Sequence, residues 1–276
     1  MSVGHALPVA VATTQGPEVC KVCMDPATPH GRARVRSKYE AVFLRCNRCG
    51  FISIANPIWL PEAYASPINV SDTGYVARNL WSAERVRMIV ELSRDPAGKF
   101  LDYAAGYGLL VRLMRDIGYD FRWADEYCEN LFARCFEEPQ PLAGTFEAIT
   151  AFEVLEHLVD PMQTLAELAR LSSCLIVSTD LVPEPAPAPT EWWYYGLEHG
   201  QHVSFYSSSS LRVIAERLNL HLSTDGVSFH VFTRQPLPPH IFRRIDSRLW
   251  RAWVRRTRRR TSKREADHEI AVRQTP

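Results

Sequence analysis

The sequence has no run of eighteen apolar residues, so no segment reads as a membrane-spanning helix. It has no Gly-x-x-x-x-Gly-Lys-Ser/Thr loop and no Gly-x-Gly-x-x-Gly turn, which argues against a Walker-type phosphate site and against the usual dinucleotide fingerprint. The stretch Met1 to Pro17 lacks a basic segment followed by a long apolar core, so it does not read as a secretory signal, and a disordered leader is expected there. Cysteine does not come in an even number. Seven residues without a secretion signal argue against a disulfide framework and for a reducing cytoplasm. There are no internal repeats.

What is present fits a globular protein. Apolar residues make up 46% of the chain, and 276 residues can bury one α/β core with room for a small extra module. The formal net charge of +1 conceals an asymmetry. Between Ile241 and Arg264, ten arginines and Lys263 face only Asp246, a net +10, which leaves −9 for the rest of the chain. The body is acidic and the tail basic.

Phe100-Leu101-Asp102-Tyr103-Ala104-Ala105-Gly106-Tyr107-Gly108 reads as a short strand ending in an acid and running into a glycine turn, with a helix over 109–117 behind it. A glycine turn between strand and helix lets a ligand approach the backbone, because no Cβ intervenes and positive φ costs little. An acid just before the turn suits a cofactor bearing a cation or hydroxyls better than a bare polyphosphate. Tyr119 to Trp123 reads as a second strand ending at Asp125-Glu126, about twenty residues past the glycines, where α/β nucleotide sites place an acid on ribose hydroxyls.

The glycine stretch resembles the first motif of class I S-adenosylmethionine-dependent methyltransferases, Asp-x-Gly-x-Gly-x-Gly, with Ala104 in place of the first glycine. Phe146 to Pro161 resembles the fourth-strand segment of the same superfamily, "FDxIxxxEVLEHxxDP". The resemblance implies a Rossmann-like seven-stranded α/β sheet, with helices on both faces and an antiparallel last strand. It implies S-adenosylmethionine as cofactor, with Asp102, Ala104, Gly106, Gly108, Asp125, Glu126, Phe152 and Glu153 as the cofactor-binding residues.

Cys20, Cys23, Cys46 and Cys49 form Cys-x-x-Cys twice, separated by twenty-two residues. Two such knuckles are a structural Zn²⁺ pattern, since four thiolates satisfy a tetrahedral ion and leave no open position for catalysis. The competing reading, two redox pairs, lacks a thioredoxin-like context. The expected organisation is a leader over 1–17, a zinc module over 18–66, a methyltransferase domain over 67–236 and a basic amphipathic tail over 237–276. Pro57, Pro61 and Pro67 mark the connector. A helix is expected over 77–92, then strand 99–103, helix 109–117, strand 119–124, helix 129–136, strand 146–152, helix 162–171 capped by Asp160-Pro161, strand 174–178, helix 207–218, and strands 220–222 and 228–233.

Methyl transfer from a sulfonium requires alignment of donor and acceptor and removal of a proton. The candidates lie in Trp192 to Ser207. This stretch resembles the "EHxSYFS" segment of sugar C-methyltransferases that carry an N-terminal zinc module, and on that match His202 takes the base position, with His199 beside it. Gln201 stands where that family has glutamate, and the chain ends before that family's additional C-terminal domain. Both departures leave oxygen methylation of a sugar, glycan precursor or other polar small molecule open beside carbon methylation. The bland reading of both histidines is that they hold the loop, and that of Trp192 to Tyr195 is that they cover the cofactor.

Glu153, Glu156 and His157 share one side of a helical turn and resemble the Glu-x-x-Glu-His set that holds a divalent cation in small-RNA 2′-O-methyltransferases and ubiquinone-pathway O-methyltransferases, a set that His202 or His199 could complete, so Mg²⁺ is a second metal to test. In residues 241–260, Ile241, Ile245, Leu249 and Trp253 recur at helical spacing among arginines. Such a helix can dock on the acidic body, contact an anionic membrane surface or bind nucleic acid. Two alternatives to a small-molecule methyltransferase therefore stand: an RNA methyltransferase using module and tail as RNA contacts, and a non-catalytic binding module. The expected location is cytoplasmic, with peripheral membrane contact through the tail as an extension.

Overall fold

The computed structural model describes residues 18–65 and 72–274; the expected leader, Met1 to Pro17, and Pro67 of the connector lie outside them. The chain begins with an antiparallel set: β1 (Ala27–Val35), β2 (Tyr39–Cys46) and β3 (Ile52–Ile54). A one-turn helix α1 (Leu60–Ala63) follows, and then the long α2 (Tyr75–Ser93). Next come β4 (Lys99–Tyr103), α3 (Leu109–Asp116), β5 (Asp120–Ala124), β6 (Ala148–Ala151), α4 (Pro161–Leu171) and β7 (Cys174–Ser178). After a long loop the chain forms β8 (Ser204–Phe205), α5 (Ser208–Arg217), β9 (His221–Thr224) and β10 (Phe229–Thr233). The tail contains α6 (Ile241–Asp246), α7 (Arg248–Thr257) and α8 (Arg264–Gln274).

The central sheet has the order β5-β4-β6-β7-β10-β9, parallel through β7, with β10 antiparallel to both its neighbours. Phe100 and Leu101 of β4 belong to different core clusters, as neighbouring strand residues must when both faces of a sheet are covered. One cluster joins Leu101, Ile149 and Val177 to α4, α5 and the cysteine knuckles; the other joins Phe100, Phe121 and Ile176 to α2, α3 and the tail. The chain leaves β4 toward β5 and then crosses to β6 on the other side. The resulting crevice beyond the carboxyl ends of β4 and β6 is where open α/β sheets bind ligands.

Three expectations about elements need correction. Among the described residues the sheet has six strands, not seven: beyond β5 a single parallel bridge, Trp123 with Glu137, stands where another strand would run. Pro139 and Pro141 follow at once, and neither can donate a ladder hydrogen bond. The helix expected over 129–136 is a series of turns, because the Leu131 and Phe132 amides donate to the Tyr107 carbonyl and the Asn130 side chain accepts from the Ala133 amide. The single tail helix expected over 241–260 is two helices. Ser247 is extended (φ −73°, ψ 119°), and its hydroxyl accepts from the Trp250 amide, so it caps a new helix.

The N-terminal sheet does not end where the connector begins. Its fourth strand is β8, paired with β3, and its core combines Phe43, Ile52 and Trp59 with Tyr194, Tyr195 and Phe205. The loop after β7 is thereby stitched into the N-terminal sheet.

Candidate active site

Asp102, next to last in β4, is buried, and the Thr150 hydroxyl on β6 donates to its Oδ1 at 2.6 Å. Burial, with the nearby Asp125 charge adding to it, pushes the Asp102 carboxyl up to about 7. The turn beyond it takes positive φ at three places: Ala104 (+52°), Gly106 (+55°) and Gly108 (+84°). At Gly108 a Cβ would lie 2.7 Å from the Asn130 side chain, so glycine is required there on two counts. Ala104 adopts the left-handed conformation that its glycine counterpart would adopt without strain.

Asp125 follows β5. One of its oxygens accepts from the Gly106 amide at 2.8 Å and the other from the Tyr127 and Cys128 amides at 2.7 and 2.8 Å. Three amides leave a carboxylate with one further acceptor position. The Trp123 indole donates to the Gly106 carbonyl and completes the tie between the ends of β4 and β5. Glu126 is exposed. Phe152 packs its ring 5.8 Å from Phe229.

Glu153 and Glu156 separate. Glu153 stands at φ +53°, its amide donates to Ser178 Oγ and its Oε1 accepts from the same hydroxyl at 2.7 Å, which turns it toward β7. Glu156 is fully buried, and among the described residues neither of its carboxyl oxygens has a hydrogen-bond partner. Burial first, then the Glu153 charge, raises its pKa well above the ordinary carboxylate range. The expected set Glu153, Glu156 and His157 is thus corrected. The groups brought together are Glu156, His157 and His202, with ligand atoms all within 4.8 Å of one another.

Around that carboxylate the structure assembles a histidine cluster from distant segments. His157 Nδ1 shares a 2.9 Å hydrogen bond with the Tyr64 hydroxyl, its ring centre lies 4.9 Å from that of His202, and the His199 ring lies 4.7 Å from His202. His202 Nδ1 donates to the Tyr194 carbonyl at 2.6 Å, so in the neutral ring Nε2 keeps its lone pair. Burial, reinforced by the neighbouring imidazoles, pulls His202 well below its ordinary value and His157 down to about 4. Both rings are neutral at pH 7, the state that accepts a proton.

His199 is placed differently. Its Nδ1 accepts from the Gln201 amide, and its ring lies against Gly196, where a Cβ would collide with it. The Gln201 side chain is buried and donates to the Ala63 carbonyl at 3.0 Å, a bond a carboxylate at that position could not make. Tyr64 is the residue that sequence reasoning missed. It sits in the proline-rich connector with no periodicity or motif around it, and only the folded chain brings it to His157.

The four cysteines converge. Cys20 and Cys49 sulfurs lie 3.6 Å apart and Cys23 and Cys46 3.3 Å, well beyond a disulfide bond of about 2.05 Å. The Val22 and Cys49 amides donate to the Cys20 and Cys46 sulfurs, and Gly50 takes φ +69° behind the second knuckle. Four close, largely buried sulfurs with amide donors fit a tetrahedral Zn²⁺. The Ser207 hydroxyl donates to the Cys49 carbonyl and Arg217 to the Val22 carbonyl, so the knuckles are fastened to α5.

Residues 75–224 match a family model described as a methyltransferase domain. Among solved structures, the chain is similar to magnesium protoporphyrin IX methyltransferase from Synechocystis PCC 6803, at 13% identity over 66% of this chain and 92% of that one, with a TM-score of 0.40. It is similar to an O-methyltransferase family 2 protein from Planctomyces limnophilus DSM 3776, at 14% identity over 63% and 66% of the two chains and a TM-score of 0.42. It is also similar to the plantazolicin methyltransferase BpumL, at 10% identity over 65% and 95% of the chains and a TM-score of 0.45. No curated protein sequence matches the chain.

Proposed function

The chain belongs to the methyltransferase-domain family and has its class I, S-adenosylmethionine-dependent fold, and from that premise we propose that it methylates a hydroxyl of a sugar, glycan precursor or similar polar small molecule. The observation that carries this reading is His202: a half-buried, neutral imidazole whose Nδ1 is committed to the Tyr194 carbonyl and whose Nε2 is left as acceptor, with the His157 ring beside it.

S-adenosylmethionine, when bound, supplies an activated methyl group. Of this chain's own groups, His202 Nε2 would take the proton from the acceptor hydroxyl. Asp102, the glycine turn and Asp125 would hold the cofactor, Asp102 facing its ammonium group and the remaining acceptor position of Asp125 taking a ribose hydroxyl. Gln201 in place of a carboxylate favours oxygen over carbon methylation, since its side chain is a neutral amide that donates to the Ala63 carbonyl and cannot take a C–H proton. Zn²⁺ on Cys20, Cys23, Cys46 and Cys49 is structural and fixes the module against α5.

A divalent cation held by Glu156, His157 and His202 is a second reading, favoured by the convergence of their ligand atoms and by the buried Glu156 carboxyl, which has no hydrogen-bond partner among the described residues. Methyl transfer from labelled S-adenosylmethionine to a panel of nucleotide sugars and glycans, with and without EDTA, tests both. Transfer that survives EDTA and is lost in His202→Ala supports the imidazole base. Transfer lost with EDTA and restored by Mg²⁺ supports the cation, and unchanged transfer in His202→Ala overturns the assignment of His202.

A further inference from the structure

The tail is anchored by one of its faces and open on another. Asp267 of α8 is buried and pairs with Arg115 at 2.7 Å and Arg112 at 2.9 Å, both on α3. Asp246 pairs with Arg85, and Arg255 with Glu84, both on α2. Ile241, Ile245 and Val254 are buried against the same body. Docking on the acidic body is therefore built, and it leaves the opposite side of α7 uncovered.

That side is not the solvated arginine face that docking alone would leave. Leu249 is 82% exposed, Trp253 44% and Trp250 37%, and their i, i+1, i+4 spacing puts them on one side of the helix. The Arg258 guanidinium lies over the Trp253 ring at 5.8 Å and that of Arg244 over Trp250 at 5.1 Å, so cations flank the indoles. Arg248, Arg256, Arg259 and Arg260 are exposed on the same segment. Two indoles and a leucine ringed by guanidinium groups match an interface whose outer layer is anionic and whose next layer is hydrocarbon. A phosphate backbone alone would use the arginines and leave Leu249 without a role.

We propose that α7 docks the protein on an anionic phospholipid surface, with Leu249, Trp250 and Trp253 entering the headgroup layer and the surrounding arginines pairing with lipid phosphates. The test uses the full chain, loaded with zinc, and vesicles of phosphatidylcholine alone or mixed equally with phosphatidylglycerol, read by co-sedimentation and by quenching of tryptophan fluorescence with brominated lipid. The expected result is binding to the anionic vesicles only, with quenching that disappears in Trp250→Phe/Trp253→Phe. In Leu249→Glu/Trp253→Glu, binding should fall at least tenfold while S-adenosylmethionine binding is unchanged. Anionic-vesicle binding that is equal in the glutamate variant, absence of quenching in the wild type, or an RNA oligonucleotide that binds more tightly than the vesicles and does so equally in the glutamate variant would each overturn it.

Discussion

The proposed cofactor side and the proposed acceptor side are built in opposite ways. At the ends of β4 and β5 the chemistry comes from two short stretches on adjacent strands, and its buried ionisable group is an acid, Asp102, raised to about 7. On the proposed acceptor side the groups come from the connector, from the turn after β6 and from the loop before β8, and they include two half-buried imidazoles, His157 and His202, held below their ordinary values. In both places burial shifts the group toward its neutral form. Strand register fixes the first side, whereas the second depends on the N-terminal module staying where it is.

Removing the zinc should break the comparison most severely. The knuckles pack in the same core cluster as α5, so chelation or Cys46→Ser should lower the melting temperature by roughly 10 °C or more, measured by calorimetry, because structural zinc contributes directly to folding. The acceptor side, which takes Tyr64 from the connector behind the module, should fail before the cofactor side. His202→Ala comes next: turnover should fall by roughly 10²- to 10⁴-fold, the usual worth of a positioned base, with cofactor affinity unchanged.

The pH dependence should separate the two sides by sign. The folded pKa of Asp102 is raised, so the folded protein holds a proton that the unfolded chain has lost, and this contribution to stability is present at low pH and lost as pH rises through about 7. The folded pKa of His157 is lowered to about 4 from 6.5, so its contribution is present above 6.5 and lost as pH falls toward 4. Asp102→Asn should therefore raise stability at pH 8 relative to the wild type, and His157→Gln should flatten the acid limb between 6.5 and 4, both read by urea denaturation. If Asp102→Asn destabilises the protein equally at pH 5 and pH 8, the burial argument is wrong. The smallest effect is expected from Ala104→Gly. Relief of the left-handed alanine is offset by the entropy of glycine, so stability should change by no more than about 1 kcal/mol and the cofactor site should persist.

The same contrast explains what could be read from the sequence. Asp102, Gly106, Gly108 and Asp125 were legible because a strand, a turn and the next strand are consecutive, and the turn needs residues that tolerate positive φ. The clustering of the four cysteines was legible because two Cys-x-x-Cys knuckles bring their sulfurs to one place. His202 was reached only through resemblance. Tyr64 was not reached at all, because its partner is 93 positions away. Glu153 was misjoined to Glu156 because a helical turn was assumed there, whereas Glu153 itself sits at positive φ ahead of a short 3₁₀ turn at Leu155–His157. The lost sheet strand and the broken tail helix are proline and serine-cap effects that periodicity alone does not register.

The most direct test is calorimetric titration of the zinc-loaded protein with S-adenosylmethionine and S-adenosylhomocysteine, comparing wild type, Asp102→Ala and His202→Ala. A glycine-turn cofactor site separate from the histidine cluster requires wild-type binding on the order of micromolar, retained in His202→Ala and lost in Asp102→Ala. A folded wild type that binds neither ligand, or equal loss in both variants, would contradict it.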